Sequence, residues 1–294
     1  MEEGGFTLVS RNRGKAAMPR SPPPRNELSQ GFTYKSTNKN AGSNGKPKIE
    51  QDARSVSATL DAAINSMRIS ALYTTLLLDL AACSSPIPTR SVACISYGIG
   101  SPASSSIALH QLALLVLMHR QFEVTLLPVL DAQTLTPHHA QFTSLEAFDP
   151  VFTRLDCEVL KLYGITPIET NERAHRIITG PTLFYMPHCG HTMYSTLLSA
   201  NWSSRKLSQI RVIGNTFAAY ELIPRQAAMQ RQSPQLMKVL PYTRAVSMDT
   251  VPYGAGDVFN NTSYHWFDGV DEVPDEDSFW TVIEAEVVDD GEVV

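Results

Sequence analysis

Cysteine is scarce and scattered in this chain: only Cys83, Cys94, Cys157 and Cys189 occur in 294 residues, with no C-x-x-C pair among them. Such spacing suggests neither a disulfide framework nor a zinc site, so reduced thiols and no bound metal are the expectation. Long apolar runs are missing as well. None approaches the ~20 residues needed to span a bilayer, and the opening MEEGGFTLVSRNRGK has acidic residues but lacks the apolar stretch of a secretory signal. A cytoplasmic or nuclear protein without a membrane partner is expected. No internal repeat is visible.

Basic charge is missing from the C-terminal end, and acidic charge is sparse at the N-terminal one. Residues 1–50 hold nine Lys/Arg against four Asp/Glu, whereas residues 268–294 hold eleven Asp/Glu and no Lys or Arg, so that the net charge of -5 hides a nearly neutral body. The first fifty residues, rich in Ser, Asn, Gly, Pro and Lys, have too few large apolar side chains to offset the entropy of ordering. This gives three parts: a disordered basic arm over 1–56, an α/β domain over 57–267, and a disordered acidic tail over 268–294. A weak basic excess reads as a solvated arm before it reads as a nucleic-acid contact, so no nucleic-acid partner is expected. The charged ends offer long-range attraction to protein partners.

Hydrophobic residues make up 43% of the chain, enough for one substantial core. Leu60, Ile64, Met67, Ala71, Leu72 and Leu76 recur at spacings of three and four and predict an amphipathic helix that runs on to about Pro86. A β-prone run at 92–97 halts at two glycines, and an apolar segment over 104–118 predicts a buried helix. The stretch 122–143 has no fixed register and reads as an insertion. SLEAFDP then predicts a strand, 153–163 a helix, ITPIET a short strand, PTLFYMPHC a strand, 191–200 a helix and IRVIGNTF a strand. A helix around 225–237 and a strand in KVLPYTRAV follow, and residues 259–267 read as a packed aromatic cluster after a polar turn. Alternating strands and helices predict an α/β, Rossmann-like fold, a mostly parallel sheet with helices on both faces.

Four signatures fall where a predicted strand ends: Tyr97-Gly98-Ile99-Gly100-Ser101, Phe148-Asp149-Pro150, Met186-Pro187-His188-Cys189 and Gly214-Asn215-Thr216-Phe217. In a parallel sheet these ends share one edge, where ligands of open α/β sheets bind. Gly98 to Ala103 fits the G-x-G-x-x-G/A form, whose backbone N–H groups can cradle a phosphate; Ser101, Ser104 and their neighbours add hydroxyls, while Pro102 removes one N–H. A small anionic ligand such as a nucleotide is therefore a candidate, with no cofactor identified. Asp149 fits a ribose-binding acid or an Asp-Pro turn, and Asn215 a bond across the loops or a left-handed turn. Cys189, next to His188 at a helix start, fits a thiol nucleophile in an enzyme site shared with His188 and Asp149, with His191 as the one candidate base, or a metal site made by His188, Cys189 and His191 with Asp149; local hydrogen bonding is the plainer reading of each. No catalytic residue is assigned.

These same blocks resemble the SRR-like (sensitivity to red light reduced) family. YGIGSPASSSIALHQLALLVLM matches its glycine loop and the helix after it, FDPVFTRLDCEVLKLYGI its Asp-Pro block, and PTLFYMPHCGHTMYSTLLSANW and VIGNTFAAY the remainder, with NNTSYHWF as a further block. The resemblance runs over roughly 57–267, and the 21 residues before Ser144 depart from the family's compact spacing. It implies a regulatory protein more than an enzyme. Plant members are associated with light signalling and circadian timing, animal and fungal ones with haem homeostasis and cytoskeletal phenotypes, and no catalytic residue transfers.

Overall fold

In a computed structural model of the protein, residues 52–83, 92–124, 142–248 and 253–286 are described. Residues 1–51 of the basic arm, most of the expected insertion and the last eight residues lie outside them, and the arm's last residues, from Ala53 to Val56, open the first helix. Helix α1 (Ala53–Arg68) opens where Asp52 accepts a hydrogen bond from the Ser55 N–H at 2.8 Å, and it buries Val56, Leu60, Ala63, Ile64 and Met67. The single long helix expected here is two. At Ser70 the backbone turns extended and the hydroxyl accepts from the Tyr73 N–H, so that α2 (Ala71–Ala82) starts afresh. A serine that can satisfy an orphan N–H favours a helix start over a helix interior. Pro86 is outside the described residues.

Strand β1 (Val92–Tyr97) leads into α3 (Ser106–Val124), then β2 (Phe142–Phe148), α4 (Arg154–Leu162) and the two-residue β3 (Thr166–Pro167). Phe122 to Val124, read as part of an insertion, complete α3 instead. After a segment without helix come β4 (Thr182–Met186), α5 (His191–Ala200), α6 (Ser204–Leu207) and β5 (Ile210–Asn215). The helix expected around 225–237 is broken at Ser233-Pro234 into α7 (Gln226–Gln232) and α8 (Pro234–Val239), because a proline starts a helix readily but cannot continue one. Strands β6 (Thr243–Ser247) and β7 (Thr262–Phe267) finish the sheet. The aromatic cluster at its end is thus a strand. Its six residues are all buried, so no alternation of polar and apolar side chains marked it as one.

The seven strands lie in the order β3-β2-β1-β4-β5-β7-β6. The first five are parallel, and β7 runs antiparallel between β5 and β6. One face packs Leu60, Met67, Leu112, Leu115, Leu145 and Leu183 under α1 to α4, and the other packs Phe184, Tyr194, Leu197, Val212, Phe217 and Leu236 under α5 to α8. The α/β class, the mostly parallel sheet and the helices on both faces are those expected from the alternation of elements.

Residues 268–286 are not a free acidic tail. Val270 is buried, the Phe279 and Trp280 rings pack on Trp202, and the Lys238 ammonium donates to the carbonyls of Ser278, Phe279 and Thr281. Two aromatic rings give this stretch enough apolar surface to outweigh its carboxylates.

Candidate functional site: the strand-end crevice

Register decides whether the four signatures meet. Tyr97 of β1 lies opposite Phe148 of β2, Ser96 opposite Tyr185 of β4, and Met186 of β4 opposite Gly214 of β5. All four strands therefore end on one edge. The order of connections reverses between β1 and β4, which makes that junction a switch point, the usual place for a ligand in an open α/β sheet.

Hydrogen bonds stitch the loops together. The Gly98 N–H donates to the Phe148 carbonyl at 3.1 Å and the Gly100 N–H to Asp149 Oδ2 at 2.7 Å. Across the switch point, the Cys189 thiol donates to the Tyr97 carbonyl at 3.3 Å. Between β4 and β5, the His188 N–H donates to Asn215 Oδ1 and Asn215 Nδ2 to the Cys189 carbonyl, each at 2.9 Å. Tyr194 of α5 ties the same two strands, its hydroxyl donating to the Met186 carbonyl at 2.6 Å and accepting from the Asn215 N–H at 2.9 Å. Asn215 thus makes the cross-loop bonds that were one of its two expected roles.

Gly98 and Gly100 take φ of +73° and +74°, which side-chain-bearing residues rarely adopt. The turn brings the loop N–H groups inward, where carboxylates of this same chain meet them. Asp156, buried in the first turn of α4, accepts at Oδ1 from the Ala103 N–H and the Ser101 hydroxyl, both at 2.9 Å, while its Oδ2 closes a capping box with Thr153. The N–H groups of Ser104 and Ser105 go to the Ser101 carbonyl. Ser104 itself is exposed, and Ser105 accepts from the Ala108 N–H at the start of α3.

Asp149 makes the Asp-Pro turn as well, since its Oδ1 accepts from the Val151 N–H at 3.0 Å. Burial raises its carboxyl pKa, and the two backbone donors only partly oppose this. His188 and Cys189 point to different partners: the imidazole Nε2 meets the Val258 carbonyl at 2.9 Å, which places its hydrogen on that nitrogen, and the thiol meets Tyr97. His191 Nδ1 sits 2.6 Å from the Ser233 hydroxyl. Among the described residues no group of three or more His, Cys, Asp or Glu is placed to hold a metal ion, and no helix is long and apolar enough to cross a membrane.

Sequence reasoning missed Asp156, Tyr194 and a cluster beneath the rim in which the Tyr97 hydroxyl donates to Glu172 while Arg176 pairs with Glu172 at 2.8 Å and Glu146 at 3.0 Å. The Thr153-x-x-Asp156 spacing of a capping box was a visible signal for Asp156. Nothing local marked the others.

The sequence profile of the SRR1 domain matches residues 76–266. Over 183 residues the chain is 31% identical to "Protein SENSITIVITY TO RED LIGHT REDUCED 1" of Arabidopsis thaliana, covering 61% of each. It is 34% identical over 149 residues to an SRR1-like protein of Mus musculus, covering 50% of this chain and 53% of that one. A Drosophila melanogaster SRR1-like protein is 26% identical over 196 residues, covering 66% of this chain and 61% of the relative. The matches thus span between half and two thirds of these relatives. No solved structure matches. With the glycine loop, the Asp-Pro turn and the β4 and β5 ends all inside the matched residues, the chain belongs to the SRR1 domain family.

Proposed function

We propose that this chain is a regulatory protein whose crevice at the C-terminal ends of β1, β2, β4 and β5 binds a small nucleotide-like ligand. The observation that carries the reading is the shared register of the four strand ends at the β1/β4 switch point, with a glycine turn on one side and the Asn215 network on the other. Asp149 is placed at the end of β2, where ribose hydroxyls are bound in sheets of this design. The regulatory part of the proposal leans on the Arabidopsis relative, whose name ties it to red-light sensitivity. Light or circadian signalling and haem homeostasis are the settings in which to look first.

Isothermal titration of the full chain against nucleosides, nucleotides, dinucleotides and haem tests this. A nucleoside-containing ligand is expected to bind with one site per chain. Silence from all of them at millimolar concentration overturns the reading.

A further inference from the structure

The crevice is built for a ligand without phosphates at the glycine loop. A diphosphate cradle needs free N–H groups and gains from a nearby cation. Here the Gly100 N–H is taken by Asp149 and the Ala103 N–H by Asp156, Pro102 has none, and those of Ser104 and Ser105 are taken by the Ser101 carbonyl. No Lys or Arg occurs in residues 97–105, 148–153, 186–191 or 214–217, the four loops at the rim. Asp149 in these loops and Asp156 in the first turn of α4 carry negative charge, and the neighbouring Arg154 is exposed and paired with Glu158, so the loops repel an anion and attract a positive charge.

The sheet supplies a second, independent observation. Its order, β3-β2-β1-β4-β5-β7-β6 with β7 alone running against the other strands, is the arrangement in which S-adenosylmethionine is bound by many methyl-transferring proteins. Fold by itself does not fix function, but the residues at the rim fit such a ligand. Its sulfonium is a cation, and it carries a nucleoside and no phosphate. Asp149 spends one lone pair of each oxygen on backbone N–H groups, which leaves acceptor sites for ribose hydroxyls. Val151, 41% exposed two residues further on, offers apolar surface beside it.

We infer that the crevice takes a nucleoside bearing a sulfonium side chain, of the S-adenosylmethionine class, with Asp149 holding the ribose and the carboxylate-capped glycine loop facing the positive charge. This rests on the crevice reading above and narrows it. When bound, such a ligand supplies an electrophilic methyl group; the roles of this chain's residues are to orient the nucleoside and to exclude phosphate-bearing competitors.

The test is calorimetric titration of the full chain with S-adenosylmethionine, S-adenosylhomocysteine, ATP and NAD. S-adenosylmethionine is expected to bind at least about tenfold more tightly than ATP or NAD, a difference on the scale of one charge-assisted hydrogen bond, and more tightly than S-adenosylhomocysteine, whose thioether carries no positive charge. If ATP or NAD binds and the S-adenosyl compounds do not, this inference falls and the crevice reading stands; if none binds, both fall. Asp149→Asn, checked for folding by circular dichroism, is expected to weaken S-adenosylhomocysteine about tenfold, and unchanged affinity in a folded variant overturns the placement. Should that variant not fold, ultraviolet cross-linking of S-adenosylmethionine to the unaltered chain decides: label on peptides spanning 97–105 or 148–156 supports the site, and label only elsewhere refutes it.

Discussion

Gly98 and Cys189 meet so closely at the β1/β4 switch point that a Cβ on Gly98 would lie 2.5 Å from the Cys189 Sγ. The thiol cannot simply swing aside, because Cys189 is 5% exposed and its hydrogen is committed to the Tyr97 carbonyl. Gly98→Ala therefore faces both a left-handed backbone and a steric clash, and a loss of about 2–4 kcal/mol is expected in urea denaturation. In the background of Cys189→Ala the same change costs less, since only the backbone part remains. Additive losses in the double-mutant cycle would contradict the contact.

Cys189 is expected to react slowly in the native state. Its thiol is buried and donating, whereas Cys83 and Cys157 are half-buried. Iodoacetamide labelling read by mass spectrometry is expected to modify Cys83 and Cys157 first, with Cys94 and Cys189 protected until unfolding; burial also pushes the Cys94 thiol pKa well up. Rapid labelling of Cys189 would reopen the nucleophile reading.

Tyr194→Phe removes one hydroxyl and leaves the Asn215 N–H without its partner, while the Met186 carbonyl keeps the longer bond from the Cys189 N–H at 3.5 Å. Orphaning buried polar groups costs about 1–3 kcal/mol. The expected result is a stability loss in that range with secondary structure unchanged, and faster amide exchange at Asn215 by NMR. Protection of that amide at its original level would show the bridge to be idle.

Acid is expected to weaken the fold through His265. This fully buried imidazole of β7 accepts from the Phe217 N–H at Nε2 and faces the Val212 carbonyl at Nδ1, and burial pushes its pKa down from 6.5 to about 4. Between those values the unfolded chain binds the proton more readily than the folded one. The contribution is therefore full above pH 6.5 and is lost as pH falls towards 4, up to about 3 kcal/mol in all. Urea midpoints measured from pH 7.5 to 4.5 should fall on this course. His265→Gln keeps an acceptor for Phe217 and should flatten the slope; an unchanged slope would assign it to other groups.

Elements with a one-dimensional signal were legible in the sequence. The apolar spacing of α1, the glycines ending β1 and the Gly164 stop after α4 each act within a few residues, and the helix at His191–Ala200 has the expected bounds. The breaks at Ser70 and Ser233-Pro234 are silent in the sequence pattern, because apolar periodicity continues across them while the hydrogen bonding restarts. Strand β7 was read as mere packing, since a strand buried on both faces shows no alternation.

By itself, then, the sequence determined the local elements, the chemical types at the four strand ends and the kinship, because backbone preference and residue identity are properties of short stretches. Only the tertiary structure decided that the glycine-loop N–H groups face Asp149 and Asp156, that Cys189 is spent on Tyr97 and that β7 inserts against the grain of the sheet. Those outcomes depend on residues tens of positions apart reaching the same few ångströms, and pairing across such separations is fixed by register and packing, which no local pattern encodes.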